Sequence, residues 1–96
     1  MRILLVEDDI SLNAALVSSL EEGGYSVTSF KKGLEAQQHI ALNAVDYDLI
    51  VLDWMLPDCD GLEIVRHLRA QGSSVPVLMI TARGEGGAEA IVKEAG

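Results

Sequence analysis

Cysteine, aromatics, proline and basic residues are all scarce in this chain. A single Cys59 leaves no disulfide to form within the chain and suits a reducing compartment. It sits between Asp58 and Asp60, so its thiol is expected to have a raised pKa and low reactivity. Seven Lys and Arg stand against fifteen Asp and Glu, for a formal net charge of −8. The few cations are scattered, and direct binding to nucleic acid needs them clustered. No apolar run approaches the length of about 18 residues that a membrane-crossing helix needs, and the first apolar stretch lacks the length and cleavage site of a signal peptide. The chain is therefore expected to be soluble and cytoplasmic, without membrane contact.

What is present is apolar and acidic. At 96 residues and 49% hydrophobic content the chain reads as one domain, 1–96, near the low end for an α/β fold. Its central stretch is Leu49-Ile-Val-Leu-Asp-Trp-Met-Leu-Pro-Asp-Cys-Asp-Gly61. The apolar run from Leu49 to Asp53 predicts a strand buried on both faces, as in parallel sheets. Asp53 then lies where ligands bind in open α/β sheets, at the carboxyl end of a strand. A second apolar strand, Arg2 to Val6, ends in Glu7, Asp8 and Asp9.

Between these segments the chain alternates. Asp9 or Ser11 can cap a helix from Ile10 to Glu22, with Leu12, Leu16 and Leu20 on one face and Ala15 beside them, stopped by Gly23-Gly24. Tyr25 to Phe30 predicts a less apolar edge strand, and Leu34 to Asn43 a helix with Leu34, Ile40, Ala41 and Ala44 as its apolar stripe. A third helix spans Leu62 to Ala70, with Leu62, Val65 and Leu68 inward. A fourth strand runs from Val77 to Ile80 and stops at Thr81, and Ala88 to Ala95 reads as a fourth helix. His39 and His67 fall on helices beside polar neighbours and are expected to face solvent. This alternation predicts a doubly wound parallel sheet of order 2-1-3-4, with the first and third strands adjacent at the switch point.

Glu7, Asp8 and Asp53 would then share one crevice, with Thr81 beside them. Two unit charges about 4 Å apart repel by about 4 kcal/mol at an effective dielectric of about 20. Such a cluster must trap a proton or bind a cation. An open, all-oxygen ligand set suits Mg²⁺ better than Zn²⁺ or an enclosed Ca²⁺ site. A carboxylate beside Mg²⁺ is a competent nucleophile toward phosphorus, and a Thr81 hydroxyl can donate to a phosphoryl oxygen.

Glu7-Asp8-Asp9, the Asp53 to Gly61 motif and Thr81-Ala-Arg, in this order, resemble the receiver domain of bacterial two-component response regulators, a flavodoxin-like fold. Their wording is most similar to the subclass whose receiver precedes a winged-helix DNA-binding domain. The resemblance implies that Asp53 is the phosphoacceptor, served by a sensor histidine kinase. It implies that Asp8, Asp53 and the Met55 carbonyl ligate Mg²⁺, with Glu7 acting through water, and that Thr81 is the switch hydroxyl. A receiver is a switch rather than an enzyme, and DNA would be reached only through an effector domain outside this chain. The family's fifth strand, the Lys that stands at its end just before a Pro, and its fifth helix have no counterpart before Gly96, so the chain is expected to be truncated. Lys93, on the expected fourth helix, is no substitute for that Lys.

Rival classes fit less well. An aspartate-nucleophile phosphatase needs an acid at the position of Met55, and a flavin binder needs a Gly- and hydroxyl-rich loop where the three acids stand. The competing reading is a receiver-like interaction module that does not signal by phosphate. With the fifth strand missing, the fourth would offer a bare edge, so self-association, by segment exchange or edge pairing, or completion by another polypeptide is expected.

Overall fold

The computed structural model describes residues 1–43, 46–81 and 89–94, with Thr81 and residues 89–94 described through their backbone. In chain order the elements are β1 (Arg2–Val6), α1 (Ile10–Glu22), β2 (Ser26–Phe30), α2 (Gly33–Asn43), β3 (Leu49–Asp53), α3 (Gly61–Ala70), β4 (Val77–Thr81) and β5 (Glu89–Glu94). The sheet order is β2-β1-β3-β4-β5. The first four strands are parallel and follow the expected order 2-1-3-4.

Both faces of the sheet are covered, which is why β1 and β3 are apolar at nearly every position. Leu4, Val6, Ile50, Leu52, Val77 and Met79 pack on Ile40 of α2 and on Ile64, Val65 and Leu68 of α3. The intervening Ile3, Leu5 and Val51 face the opposite side, against Leu16, Val17 and Leu20 of α1. Each fully buried Leu or Ile of this kind stabilises the fold by about 2 kcal/mol. β2, at the edge, is only partly covered, as its Ser and Thr content predicted. At the amino edge the Arg2 N–H donates to Asp48 Oδ2 at 2.8 Å and the Asp48 N–H returns to the Arg2 carbonyl at 2.8 Å, which sets the register of β1 and β3.

Asp9, rather than Ser11, caps α1: its carboxylate accepts from the Leu12 N–H at 2.8 Å. Two apolar stripes differ from expectation. In α1 the helix presents Val17 beside Leu16 and Leu20, and Ala15 is exposed. In α2, Ala36 and Ile40 face the core while Leu34 and Ala41 are exposed, and Ala44 lies outside the described residues. A cap described below rotates α2 so that Gly33, rather than Leu34, meets the neighbouring loop.

His67 is exposed as expected, but His39 is half-buried. Its ring lies 5.0 Å from that of Phe30 and 5.6 Å from that of Tyr47, and its Nε2 is 2.6 Å from the Tyr47 hydroxyl. Polar neighbours along the helix did not reveal this, because both partner rings come from other segments.

The largest departure lies at the C-terminal side. Glu89–Glu94, expected within a helix over 88–95, forms β5 instead, antiparallel to β4. The pairing runs from Leu78 with Glu94 to Thr81 with Glu89, with a register shift between Met79 and Thr81. The outer edge of β4 offers a row of N–H and C=O groups that require partners, and the β-branched Ile91-Val92 pair suits a strand. The glycines at 84, 86 and 87 also oppose helix entry, at about 1 kcal/mol each relative to Ala. The edge expected to be left bare for another chain is thus covered by this chain's own residues.

Candidate functional site

The register that pairs Val6 with Leu52 carries Glu7 and Asp53 one step further, to the same carboxyl edge, and Asp8 follows. One carboxylate oxygen from each of Glu7, Asp8 and Asp53 lies within 4.8 Å of the other two. Glu7 is 1% exposed and Asp53 5%, while Asp8 is half-buried. The Asp53–Ile80 pairing places Thr81 at this edge too; its side chain is outside the described residues.

Among the described residues, few donors offset this negative charge. Glu7 Oε2 accepts from the Asp9 N–H at 3.0 Å, and Asp53 Oδ1 accepts from the Met55 N–H at 3.0 Å. Among the described residues, Glu7 Oε1 is buried without a partner. Burial raises the Glu7 pKa to about 7, with the Asp53 and Asp8 carboxylates adding to the rise against the opposing Asp9 N–H. Burial also pushes Asp53 upward, aided by Asp8 and opposed by the Met55 N–H. An orphaned carboxylate oxygen beside two others, at an edge open to water through Asp8, is a donor set that fits a hard divalent cation.

The loop from Asp53 to Gly61 is built by its own polar groups. Asp60 caps α3 through the Leu62 N–H at 2.9 Å, and the Trp54 N–H reaches the Ile80 carbonyl at 3.0 Å. Trp54 follows Asp53 directly in the chain and is 42% exposed, so its indole is a candidate reporter on the site. A Cβ on Gly61 would stand 2.9 Å from the Asp53 carbonyl, so only glycine lets α3 start this close to the site. Cys59 does carry a raised pKa, with burial as the first cause and the charges of Asp58, Asp60 and Glu63 behind it.

Two features escaped the reading of the sequence. Asp58 accepts from both Gly33 N–H (2.9 Å) and Leu34 N–H (3.0 Å), closing the N-terminus of α2 from the site loop. These bonds hold the Asp58 pKa below its ordinary value. The residue types at 33, 58 and 59 carry no signal of this contact, since it joins segments 25 residues apart. Asn13, in contrast, left a trace: it precedes Leu16, Val17 and Leu20 at helical spacing, a polar residue on an inward face.

The Gly33 contact makes a direct test. A Cβ there would overlap Cys59 Sγ and lie 2.9 Å from Leu56 Cδ1. Gly33→Ala is expected to lower stability by about 1–3 kcal/mol in urea unfolding, and Gly33→Ala with Cys59→Ala to recover part of it. An unchanged midpoint in the single variant would mean that the loop is not packed on α2.

Residues 3–96 match the family described as the response regulator receiver domain. The chain belongs to this family. As a receiver, it is a signalling domain rather than a classical enzyme. It is 46% identical over 84 residues to the probable transcriptional regulatory protein SilR of Salmonella typhimurium, covering 88% of this chain and 36% of that protein. Response regulator RppA of Synechocystis sp. is 44% identical over 85 residues, with the same coverage of 88% and 36%. The receiver thus spans about a third of the length of these curated relatives. Among solved structures, the non-phosphorylated HemR receiver domain of Leptospira biflexa superposes with a TM-score of 0.76 at 39% identity, covering 85% of this chain and 64% of that one. The receiver domain of the Francisella response regulator 1452 gives 0.78 at 33% identity, covering 88% and 69%. Among the described residues of this receiver, no helix is long and apolar enough to cross a membrane.

Proposed function

We propose that this receiver is a phosphorylation-dependent switch in which Asp53 accepts a phosphoryl group from a sensor histidine kinase. The observation that carries the reading is the convergence of Glu7, Asp8 and Asp53 within 4.8 Å at the carboxyl edge of a parallel sheet. An Asp53 oxygen attacks phosphorus, the bond from phosphorus to the donor histidine nitrogen breaks, and the electron pair leaves with that nitrogen. The Met55 N–H on Oδ1 holds the carboxylate's rotation for this attack. Asp8, Asp53 and the Met55 carbonyl, with Glu7 through water, would hold Mg²⁺, which supplies positive charge against the incoming phosphoryl oxygens. Thr81 supplies the hydroxyl that engages the transferred group.

The wider role follows the relatives. The receiver would act in the cytoplasm and pass its state to a DNA-binding output of the winged-helix type outside residues 1–96, with self-association as a means of transmission. The test is incubation with a small phosphodonor and Mg²⁺, followed by intact mass and peptide mapping. One phosphoryl group on Asp53 is expected, lost on adding EDTA beforehand. Label on Asp8, Asp60 or a histidine would overturn the assignment, and no label on the folded chain would leave the interaction-module reading in its place.

A further inference from the structure

Asn13 is the most buried residue of α1, at 3% exposure, yet it is polar and sits on the face that otherwise packs Leu16, Val17 and Leu20. A buried amide costs stability unless its hydrogen bonds are met, and Asn is a weak helix former, so packing alone favours an apolar residue here. Its Nδ2 donates to the Glu7 carbonyl at 3.0 Å and, more weakly, to the Phe30 carbonyl at 3.5 Å. Both partners are carbonyls, which fixes the amide's orientation.

The Glu7 carbonyl belongs to the peptide plane that precedes Asp8. The plane that follows Asp8 carries the Asp9 N–H, which is held by Glu7 Oε2 at 3.0 Å. The next carbonyl, that of Asp9, accepts the Asn13 backbone N–H at 2.8 Å. Asn13 therefore grips the chain on both sides of Asp8, by its side chain before it and by its backbone after it. Once its flanking planes are fixed, the Cα–Cβ direction of Asp8 is fixed as well.

We infer that Asn13 is a positioning residue that aims the Asp8 carboxylate into the cluster with Glu7 and Asp53. It touches neither an ion nor a phosphoryl group; it acts through the Glu7–Asp8 peptide. This inference rests on the reading of the cluster as a cation site, and it extends that reading to a residue outside the cluster. Releasing the peptide would let Asp8 turn toward solvent, weakening the cation site while leaving the core packed. Groups that orient metal ligands in this way change affinity by about 10- to 100-fold when removed.

The experiment is a Mg²⁺ titration of the full 96-residue chain, followed by Trp54 fluorescence and by calorimetry, well below the unfolding temperature. The variants are Asn13→Ala, Asn13→Ser and, as a control, Leu20→Ala, which loosens the same helix further from the site. Asn13→Ala is expected to weaken Mg²⁺ binding by about tenfold, and Asn13→Ser, which keeps one donor, by less. Leu20→Ala should lower stability as much or more while holding the affinity of the folded chain within about twofold, because its loss is confined to packing. Wild-type affinity in Asn13→Ala overturns the inference, and if that variant does not fold, wild-type affinity in Asn13→Ser does so. Equal weakening by Leu20→Ala overturns it too, since general loosening of α1 would then suffice. A wild-type chain that does not respond to Mg²⁺ brings down the cation-site reading itself, and the inference with it.

Discussion

Asp53→Asn is expected to give a chain that is more stable than the wild type in the absence of metal, yet takes no phosphoryl label. Three carboxylates meet within 4.8 Å, and one oxygen of Glu7 is buried with no partner among the described residues. At that separation a single charge pair repels by on the order of 3 kcal/mol at an effective dielectric of about 20, so neutralising the central member relieves much of the strain. The amide still offers an oxygen to the Met55 N–H, which keeps the loop closed. The price of function is thus a locally destabilised fold, as in many sites of this kind. Urea unfolding in EDTA should show a higher midpoint for Asp53→Asn, and Mg²⁺ should raise it far less than in the wild type. A lower midpoint without metal would mean that Asp53 is a structural residue and that the cluster is not repulsive.

The second large effect is a dependence on pH that Mg²⁺ reverses. Glu7, with its pKa raised from 4.5 to about 7, and Asp53, also raised, hold protons more tightly in the folded chain than in the unfolded one. Their contribution to stability is full below the unfolded values and is lost as the pH rises through about 7. For Glu7 alone this amounts to on the order of 3 kcal/mol. Asp58 has the opposite sign: its pKa is depressed, so its capping bonds are lost as the pH falls below the ordinary carboxylate range. The metal-free chain should therefore be most stable near pH 5 and weaken toward pH 8. Mg²⁺ needs the ionised carboxylates, so its stabilisation grows along the same path, by about 2.7 kcal/mol at a hundred times its Kd. Thermal unfolding from pH 5 to 8, with EDTA and with Mg²⁺, reads both trends. Stability that rises toward pH 8 in EDTA contradicts the argument.

The acidic site was legible in the sequence because its residues stand at strand ends, and the ends of buried strands are marked by an abrupt change from apolar to charged. Glu7, Asp8 and Asp53 each follow such a run, and parallel pairing then leaves little freedom in where they meet. The order of the four parallel strands was readable on the same ground, from the weak apolar character of β2. What the pattern did not carry was decided across the fold. α2 shows Ala36 and Ile40 to the core, and leaves Leu34 exposed, because Asp58 from a distant loop sets its first turn. His39 is enclosed by Phe30 and Tyr47, neither of them its helical neighbour. Glu89–Glu94 has the Ala and Glu content of a helix, and pairs as a strand because the edge of β4 lies open to it. Asn13 was missed as well, although a polar residue at helical spacing from Leu16, Val17 and Leu20 was a trace from which it could have been found.

The bond pair from Asp58 to the first turn of α2 also bears on how the domain opens. Gly33 and Leu34 cannot leave their places without freeing Asp58, and Asp58 cannot leave without exposing two helix-end amides. Site loop and helix end therefore share one cooperative unit of local unfolding, although 24 and 25 residues separate them in the chain. A rearrangement of the Asp53 loop is felt in α2 at once, by withdrawal of its cap rather than by any push through the core.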